Sequence, residues 1–87
     1  MSAARILVVD DESEIRGLLK EILADEGYEV DIAADAAEAR QRRSQHDPDL
    51  ILLDIWMPDT DGITLLKEWA ASGQLTMPVV IDRKSVV

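Results

Sequence analysis

Three short apolar runs recur along the chain, at residues 6–9, 50–53 and 79–81. Each run consists mostly of branched aliphatic residues and lacks the polar alternation of a half-exposed strand. Such continuous runs are typical of strands buried on both faces of a parallel sheet. A weaker alternation over residues 28–33, with Tyr28, Val30 and Ile32 on one side, predicts a further strand between the first two runs.

A helical pattern follows the first apolar run. Five apolar residues have the spacing of a single helix face: Ile15, Leu18, Leu19, Ile22 and Leu23. We expect Ser13 to cap the start of this helix. Gly27 suits the left-handed residue that follows a helix end. The pattern therefore predicts an amphipathic helix between the first two strands.

Two more helices are predicted further along. Asp35 and Glu38 form the pattern of a capping box, which predicts a helix that continues to about Ser44. A third helix is predicted by an apolar stripe made of Ile63, Leu66, Trp69 and Ala70, of which we expect Trp69 to lie in the core. The resulting order, β-α-β-α-β-α-β, indicates an α/β fold with a doubly wound parallel sheet.

The length and net charge of the chain limit the number of domains and the classes of binding partner. The chain has 87 residues, and 18 Asp+Glu against 9 Lys+Arg give a formal net charge of -9. The length predicts one domain. The acidic balance argues against direct binding of nucleic acid or of an anionic membrane, because both require clustered basic residues. We expect the three arginines of the second helix, Arg40, Arg42 and Arg43, to form a solvated face.

Cellular location and cysteine chemistry are also constrained. The chain has 0 Cys, so it has no disulfide, thiol nucleophile or cysteine-ligated metal. No apolar run approaches the roughly 18 residues of a membrane span, and the run that follows the N-terminus is too short for a signal peptide. We therefore expect a cytoplasmic protein.

The candidate chemistry lies where two predicted strands end. Asp10 and Asp11 follow the first run, and Asp54 follows the third. Parallel strands end at the same edge of a sheet, so these carboxylates converge if the two strands are neighbours. An all-oxygen ligand set favours Mg²⁺. A carboxylate beside Mg²⁺ can also attack phosphorus and form an aspartyl phosphate.

Other interpretations compete with this one. The acidic stretch 10–12 can instead be a solvated loop before a helix. Residues 57–68 partly match a calcium-binding EF-hand loop, but Met57 stands at its first ligand position. Phosphatases of the haloacid dehalogenase type use a similar nucleophile, but they need a second Asp where Trp56 stands. A non-catalytic fragment that binds a kinase or a dimer partner is the remaining alternative.

The acidic motifs and their spacing resemble a known family. Residues 7–12, 48–58 and 61–62 are similar to the receiver domain of bacterial two-component response regulators, and the resemblance spans residues 4–81. It implies a flavodoxin-like (CheY-like) fold in which Asp10 and Asp11 bind Mg²⁺ and Asp54 is the phosphoacceptor. It also implies that the backbone carbonyl of Trp56 binds the metal. Residues 54–69 further resemble nitrogen-regulation (NtrX-type) regulators that act with sigma-54 polymerase.

The resemblance also implies partners. In this family a sensor histidine kinase donates the phosphoryl group, and the receiver controls transcription through an output domain. The receiver assists its own phosphorylation but is otherwise not an enzyme, and a receiver homodimer is possible.

The chain departs from the family pattern near its end. The family has Ser or Thr after the fourth strand, where this chain has Asp82 and Arg83, and a Lys after a fifth strand. Lys84 comes too early to replace that Lys, and Ser85 is a doubtful substitute for the hydroxyl. We therefore expect a receiver over residues 1–81, truncated after the fourth strand, and an unrelated tail over 82–87. Slow phosphorylation, a bare β-edge and an uncovered apolar face would follow.

Overall fold

The structure is a computed structural model that describes residues 3–54 and 62–82. Strands and helices alternate as the apolar pattern predicts. The strands are β1 (Arg5–Val9), β2 (Glu29–Ala33), β3 (Leu50–Asp54) and β4 (Val79–Asp82). The helices are α1 (Ser13–Asp25), α2 (Ala36–Gln45) and α3 (Gly62–Ala71). Expectations about Arg83, Lys84 and Ser85 lie outside the described residues.

The four strands form one parallel sheet in the order β2-β1-β3-β4. β1 pairs with β2 on one side and with β3 on the other, so Val9 lies opposite both Ala33 and Leu53. The direction in which strands are added therefore reverses at β1. In open α/β sheets, the crevice at such a reversal is where ligands bind.

One face of the sheet carries the main core. Alternate residues of β1 and β3 point to this face and pack with α2 and α3. The buried cluster contains Leu7, Val9, Ala33, Ala36, Ala39, Ile51, Leu53, Leu65 and Trp69. Full burial of each large apolar side chain contributes about 1.5–3 kcal/mol. The predicted core position of Trp69 is confirmed, because this side chain is only 1% exposed.

The opposite face is covered less completely. Ile6 and Val8 of β1 are buried there, and α1 packs against β1 and β2. No residue of α1 is itself buried, and Leu18 and Ile22 of its apolar stripe remain 53% and 48% exposed. Val80, which lies opposite Leu52 on this face, is 49% exposed. The expectation that a truncation uncovers an apolar face stays a prediction.

β4 lies at one edge of the described sheet. Within residues 3–54 and 62–82 its strand partner is β3. Val80 and Ile81 point to opposite faces of this strand, and both are about half exposed. Asp82 completes the strand opposite Asp54. The boundary at residue 81 stays a prediction.

The start of α1 differs from the sequence prediction. Ser13 is the first residue of the helix and not its cap. Glu12 occupies the cap position, and its side chain makes no capping hydrogen bond. The helix end follows the prediction, since Gly27 has a φ of 94° and so occupies the left-handed region that glycine favours.

The start of α2 shows a modified capping box. The side chain of Asp35 accepts a hydrogen bond of 2.8 Å from the backbone N–H of Glu38. The side chain of Glu38 accepts one of 2.9 Å from Ala34, one residue before the cap. The predicted pair of residues is thus confirmed, and two otherwise free backbone N–H groups are satisfied.

The second strand begins later than its alternation predicts. Tyr28 lies outside β2, which starts at Glu29. Its backbone N–H donates to the carbonyl of Leu23 at 3.1 Å, so this residue belongs to the turn that ends α1. Helix termination therefore removes Tyr28 from the sheet.

Arg43 contradicts the expectation of a solvated basic face on α2. It is buried, with 6% of its surface exposed, and its guanidinium carbon lies 4.9 Å from the centre of the Trp69 ring. Its Nη2 donates to the carbonyl of Gln74 at 2.6 Å. The long side chain thus packs as part of the core while one nitrogen is satisfied by backbone.

Arg40 and Glu68 join α2 to α3 at the surface. The guanidinium donates two hydrogen bonds to the carboxylate, at 2.7 and 2.9 Å. This bond from Arg40 lowers the pKa of the Glu68 carboxyl, and Glu68 raises the pKa of Arg40. Because the carboxyl pKa is lowered in the folded state, the pair stabilises the fold above the ordinary pKa of a glutamate. That contribution is lost as the pH falls through the lowered value.

We predict that Arg43→Ala lowers the free energy of unfolding by about 2 kcal/mol, because it removes the contact with Trp69 and a charged hydrogen bond. Urea denaturation followed by circular dichroism measures this change. Arg40→Ala is the matched control on the same helix, and we expect a much smaller effect because its ion pair is exposed. Equal effects of the two substitutions would contradict the assigned core role of Arg43.

We also predict that Arg40→Gln raises the pKa of Glu68 toward the ordinary glutamate range, because the bidentate hydrogen bond is lost. An NMR titration of the Glu68 side-chain carboxyl carbon measures this pKa. Arg42→Gln serves as the control that changes a neighbouring arginine. An unchanged titration in Arg40→Gln would show that the surface pair does not persist in solution.

Candidate functional site

The carboxyl ends of β1 and β3 lie side by side. Asp10 directly follows the last residue of β1, and Asp54 is the last residue of β3. The register places Val9 opposite Leu53, one residue before each carboxylate. The strand pairing therefore brings Asp10 and Asp54 together at the edge of the sheet where the strand order reverses.

Asp11 joins these two residues to complete an acidic cluster. One carboxylate oxygen from each of Asp10, Asp11 and Asp54 lies within 4.8 Å of the others. Asp10 is 4% exposed and Asp54 is 2% exposed, whereas Asp11 is partly exposed. Two like charges about 4 Å apart near a protein surface repel by roughly 4 kcal/mol. A cation removes that repulsion, so the cluster can hold a metal ion.

The main chain around Asp10 is held from two sides. Its backbone N–H donates to the carbonyl of Ala33, at the end of β2, over 3.0 Å. Its Oδ1 accepts a hydrogen bond of 2.9 Å from the backbone N–H of Glu12. This bond closes a tight turn between β1 and α1. The turn directs the carboxylate of Asp10 and leads the chain into the helix.

Arg16 is a further residue of the site, and the sequence reasoning missed it. It lies in the first turns of α1, and its Nη1 donates to the backbone carbonyl of Asp10 at 2.8 Å. The signal in the sequence is a single arginine six residues after the first aspartate. This contact depends on the orientation of α1 relative to the end of β1. The periodicity of apolar residues does not reveal that orientation.

The remaining candidate site residues either lie outside the described residues or have a defined place in the structure. Trp56, with its expected metal-binding carbonyl, lies outside the described residues, as do positions 57–61. Glu68, the last ligand position of the EF-hand alternative, lies in α3 and is engaged by Arg40. That pairing counts against a calcium loop. His46 is an exposed residue at the end of α2.

In the ranges 3–54 and 62–82, no helix combines the length and the apolar character that crossing a bilayer requires.

Comparison with protein families gives a match over most of the chain. A family described as the response regulator receiver domain matches residues 6–82. The match includes all three clustered aspartates.

Individual relatives agree with this match. The virulence transcriptional regulatory protein PhoP of Salmonella typhimurium is 40% identical over 77 residues. That alignment covers 88% of this chain but 34% of PhoP, so the chain spans about a third of the length of these curated relatives. The corresponding protein of Escherichia coli is 38% identical.

Solved structures share the fold. A CheY-like receiver domain protein of Methanospirillum hungatei has a TM-score of 0.88 and 37% identity, over 99% of this chain and 68% of that one. NtrX of Brucella abortus has a TM-score of 0.85 and 43% identity, over 93% of this chain and 19% of that one. The flavodoxin-like fold and the similarity to NtrX expected from the sequence are therefore confirmed.

We predict that Asp10→Asn raises thermal stability in the absence of divalent cations and abolishes the stabilisation that Mg²⁺ gives. The amide oxygen can still accept from Glu12, while one of three repelling charges is removed. We expect a gain of roughly 1–3 kcal/mol. Thermal unfolding with and without the cation measures both effects.

Asp25→Asn is the charge-matched control for this measurement, because Asp25 is an exposed residue at the end of α1. It should leave the response to Mg²⁺ intact. Loss of stability in cation-free Asp10→Asn would refute the idea that repulsion dominates this cluster.

Proposed function

The chain belongs to the response regulator receiver domain family, and from this premise we propose that Asp54 accepts a phosphoryl group from a sensor histidine kinase. The observation that carries the proposal is the convergence of three carboxylates, from Asp10, Asp11 and Asp54, within 4.8 Å. They lie at the edge of the sheet where an α/β fold binds its ligands.

The proposed metal is Mg²⁺. Two oxygens bound to one Mg²⁺ at 2.0–2.1 Å are at most about 4.2 Å apart. Only one pair among three ligands can be that far apart, and the other pairs lie about 2.9 Å apart. The carboxylate oxygens, now within 4.8 Å of one another, would therefore have to move closer together around the ion. Asp10, Asp11 and Asp54 would supply ligands, together with the backbone carbonyl of Trp56 that the family resemblance implies. Bound Mg²⁺ supplies charge that offsets the phosphoryl oxygens.

In the proposed reaction, a carboxylate oxygen of Asp54 attacks the phosphorus of a phosphohistidine. The new P–O bond forms as the P–N bond breaks, and the electron pair of that bond returns to the imidazole nitrogen, which takes up a proton. The product is an aspartyl phosphate. Asp54 is consumed once per transfer, so the domain assists its own modification and does not turn over as an enzyme.

The position of Asp54 suits this role. It ends an inner strand that is paired on both sides, which fixes its backbone relative to the other two carboxylates. Its side chain is largely buried, and this limits the approach of water. Fixed geometry favours attack by a nucleophile, because folding has already orientated the carboxylate and the reaction loses little further entropy.

The partners belong to the same proposal. A histidine kinase would provide the phosphoryl group, and the regulation of transcription would follow in a longer protein. The first relatives carry the name transcriptional regulatory protein, and the chain covers 34% of their length. With a net charge of -9, this segment is poorly suited to contact nucleic acid itself. We place the reaction in the cytoplasm, as the sequence leads us to expect.

We predict that incubation with a small acyl phosphate and Mg²⁺ adds one phosphoryl group, because the activated donor replaces the kinase. Intact mass spectrometry detects the adduct, and Asp54→Asn should abolish it. Asp25→Asn, with the same charge change at an exposed site, should be modified normally. Modification that persists in Asp54→Asn would refute the assignment of this nucleophile.

The same samples separate the alternatives. An absence of modification in the wild-type chain would favour a fragment that only binds a partner. Continuous release of inorganic phosphate at Asp54 without an accumulating adduct would favour a phosphatase. The proposed function requires an adduct that accumulates and depends on Mg²⁺.

A further inference from the structure

Arg16 connects α1 to the main chain of the acidic cluster. Its Nη1 donates to the carbonyl oxygen of Asp10 at 2.8 Å, and this contact is partly buried. Its backbone N–H donates to the carbonyl of Glu12 at 3.0 Å, within the first turn of the helix. The side chain therefore reaches from a fixed helical position back to the end of β1.

This contact constrains both aspartates of the acidic pair. The carbonyl of Asp10 and the N–H of Asp11 belong to one planar peptide group. A donor that fixes the direction of the carbonyl therefore fixes the whole plane between the two residues. The other side of Asp10 is held by Ala33, and its carboxylate is held by Glu12.

The guanidinium has two effects of opposite sign on a cation in the cluster. As a fixed donor, it holds Asp10 and Asp11 in place, which favours metal binding because the ligands need no rearrangement. As a positive charge, it repels a second cation. Removing the side chain therefore weakens metal binding if positioning dominates, and strengthens it if charge dominates.

We propose that Arg16 is a positioning residue, which sets the peptide plane between Asp10 and Asp11 and thereby the affinity of the cluster for a divalent cation. The inference rests on the proposed function for the identity of the cation, Mg²⁺. The hydrogen bond between Arg16 and Asp10 stands independently of it.

The test compares three variants of the full chain. Arg16→Met removes the donors but keeps an unbranched side chain, and Arg16→Lys keeps a donor and the charge. Arg42→Met is the matched control, since Arg42 also donates from its side chain to a backbone carbonyl, that of Ile32 at 3.2 Å. Calorimetry gives the Mg²⁺ dissociation constant, and a cation-free thermal melt reports on the fold.

We expect Arg16→Met to raise the Mg²⁺ dissociation constant about tenfold, the usual lower size of such an effect. Arg16→Lys should recover most of the affinity, and Arg42→Met should leave it unchanged. Tighter binding in Arg16→Met would overturn the proposal in favour of a charge effect. A lower melting temperature with an unchanged dissociation constant would overturn it in favour of a purely structural role.

A second readout does not need the cation. The hydrogen bond from Arg16 polarises the peptide group that contains the N–H of Asp11, so the amide ¹⁵N resonance of Asp11 should move in Arg16→Met and stay in place in Arg42→Met. If the wild-type chain binds no Mg²⁺, the proposed function fails and this resonance decides the role of Arg16. An unmoved resonance would overturn the positioning role.

Discussion

The parallel pairing of β1 with β3 is the constraint on which the site depends. These strands are separated in sequence by α1, β2 and α2, yet their register places Val9 opposite Leu53. A shift by one residue would turn every side chain of one strand to the other face. Because β1 is buried and apolar on both faces, such a shift would replace Leu7 and Val9 by Ile6 and Val8 in the main core. It would also separate Asp10 from Asp54. Core packing and site geometry are thus selected by the same register.

The repulsion between the clustered carboxylates opposes the stability that the core provides. Two of its carboxylates are almost fully buried, where their repulsion is weakly screened. A domain of this size has little stability to spare, because small domains bury a smaller share of their surface. The fold tolerates the cluster because the strand ends are held by the sheet and by the hydrogen bonds around Asp10. The cation that we propose would offset the repulsion between the carboxylates.

Most of the architecture could be predicted from the sequence, and the two misses that concern arginines have one physical origin. The strands are apolar runs and the helices are periodic, so their order followed from local pattern, and the convergence of Asp10, Asp11 and Asp54 followed from strand order. Arg43 and Arg16 were misjudged because a long cationic side chain can lie in water or against the fold. The tertiary partner decides between the two positions. For Arg43 this partner is Trp69, and for Arg16 it is the backbone carbonyl of Asp10. Periodicity along the chain cannot supply such tertiary partners.

The two faces of the sheet support the site unequally. α2 and α3 close one face around Trp69, whereas α1 has no buried residue and keeps Leu18 and Ile22 about half exposed. This helix of 13 residues therefore buries little apolar surface against the sheet. The hydrogen bond from Arg16 to Asp10 adds a polar attachment at the end of the helix nearest the acidic cluster. Since we propose that the same bond orients the ligands of a cation, the docking of α1 and the binding of that cation would be coupled. By linkage, a change that strengthens the docking of α1 would also strengthen cation binding, and cation binding would strengthen the docking of α1.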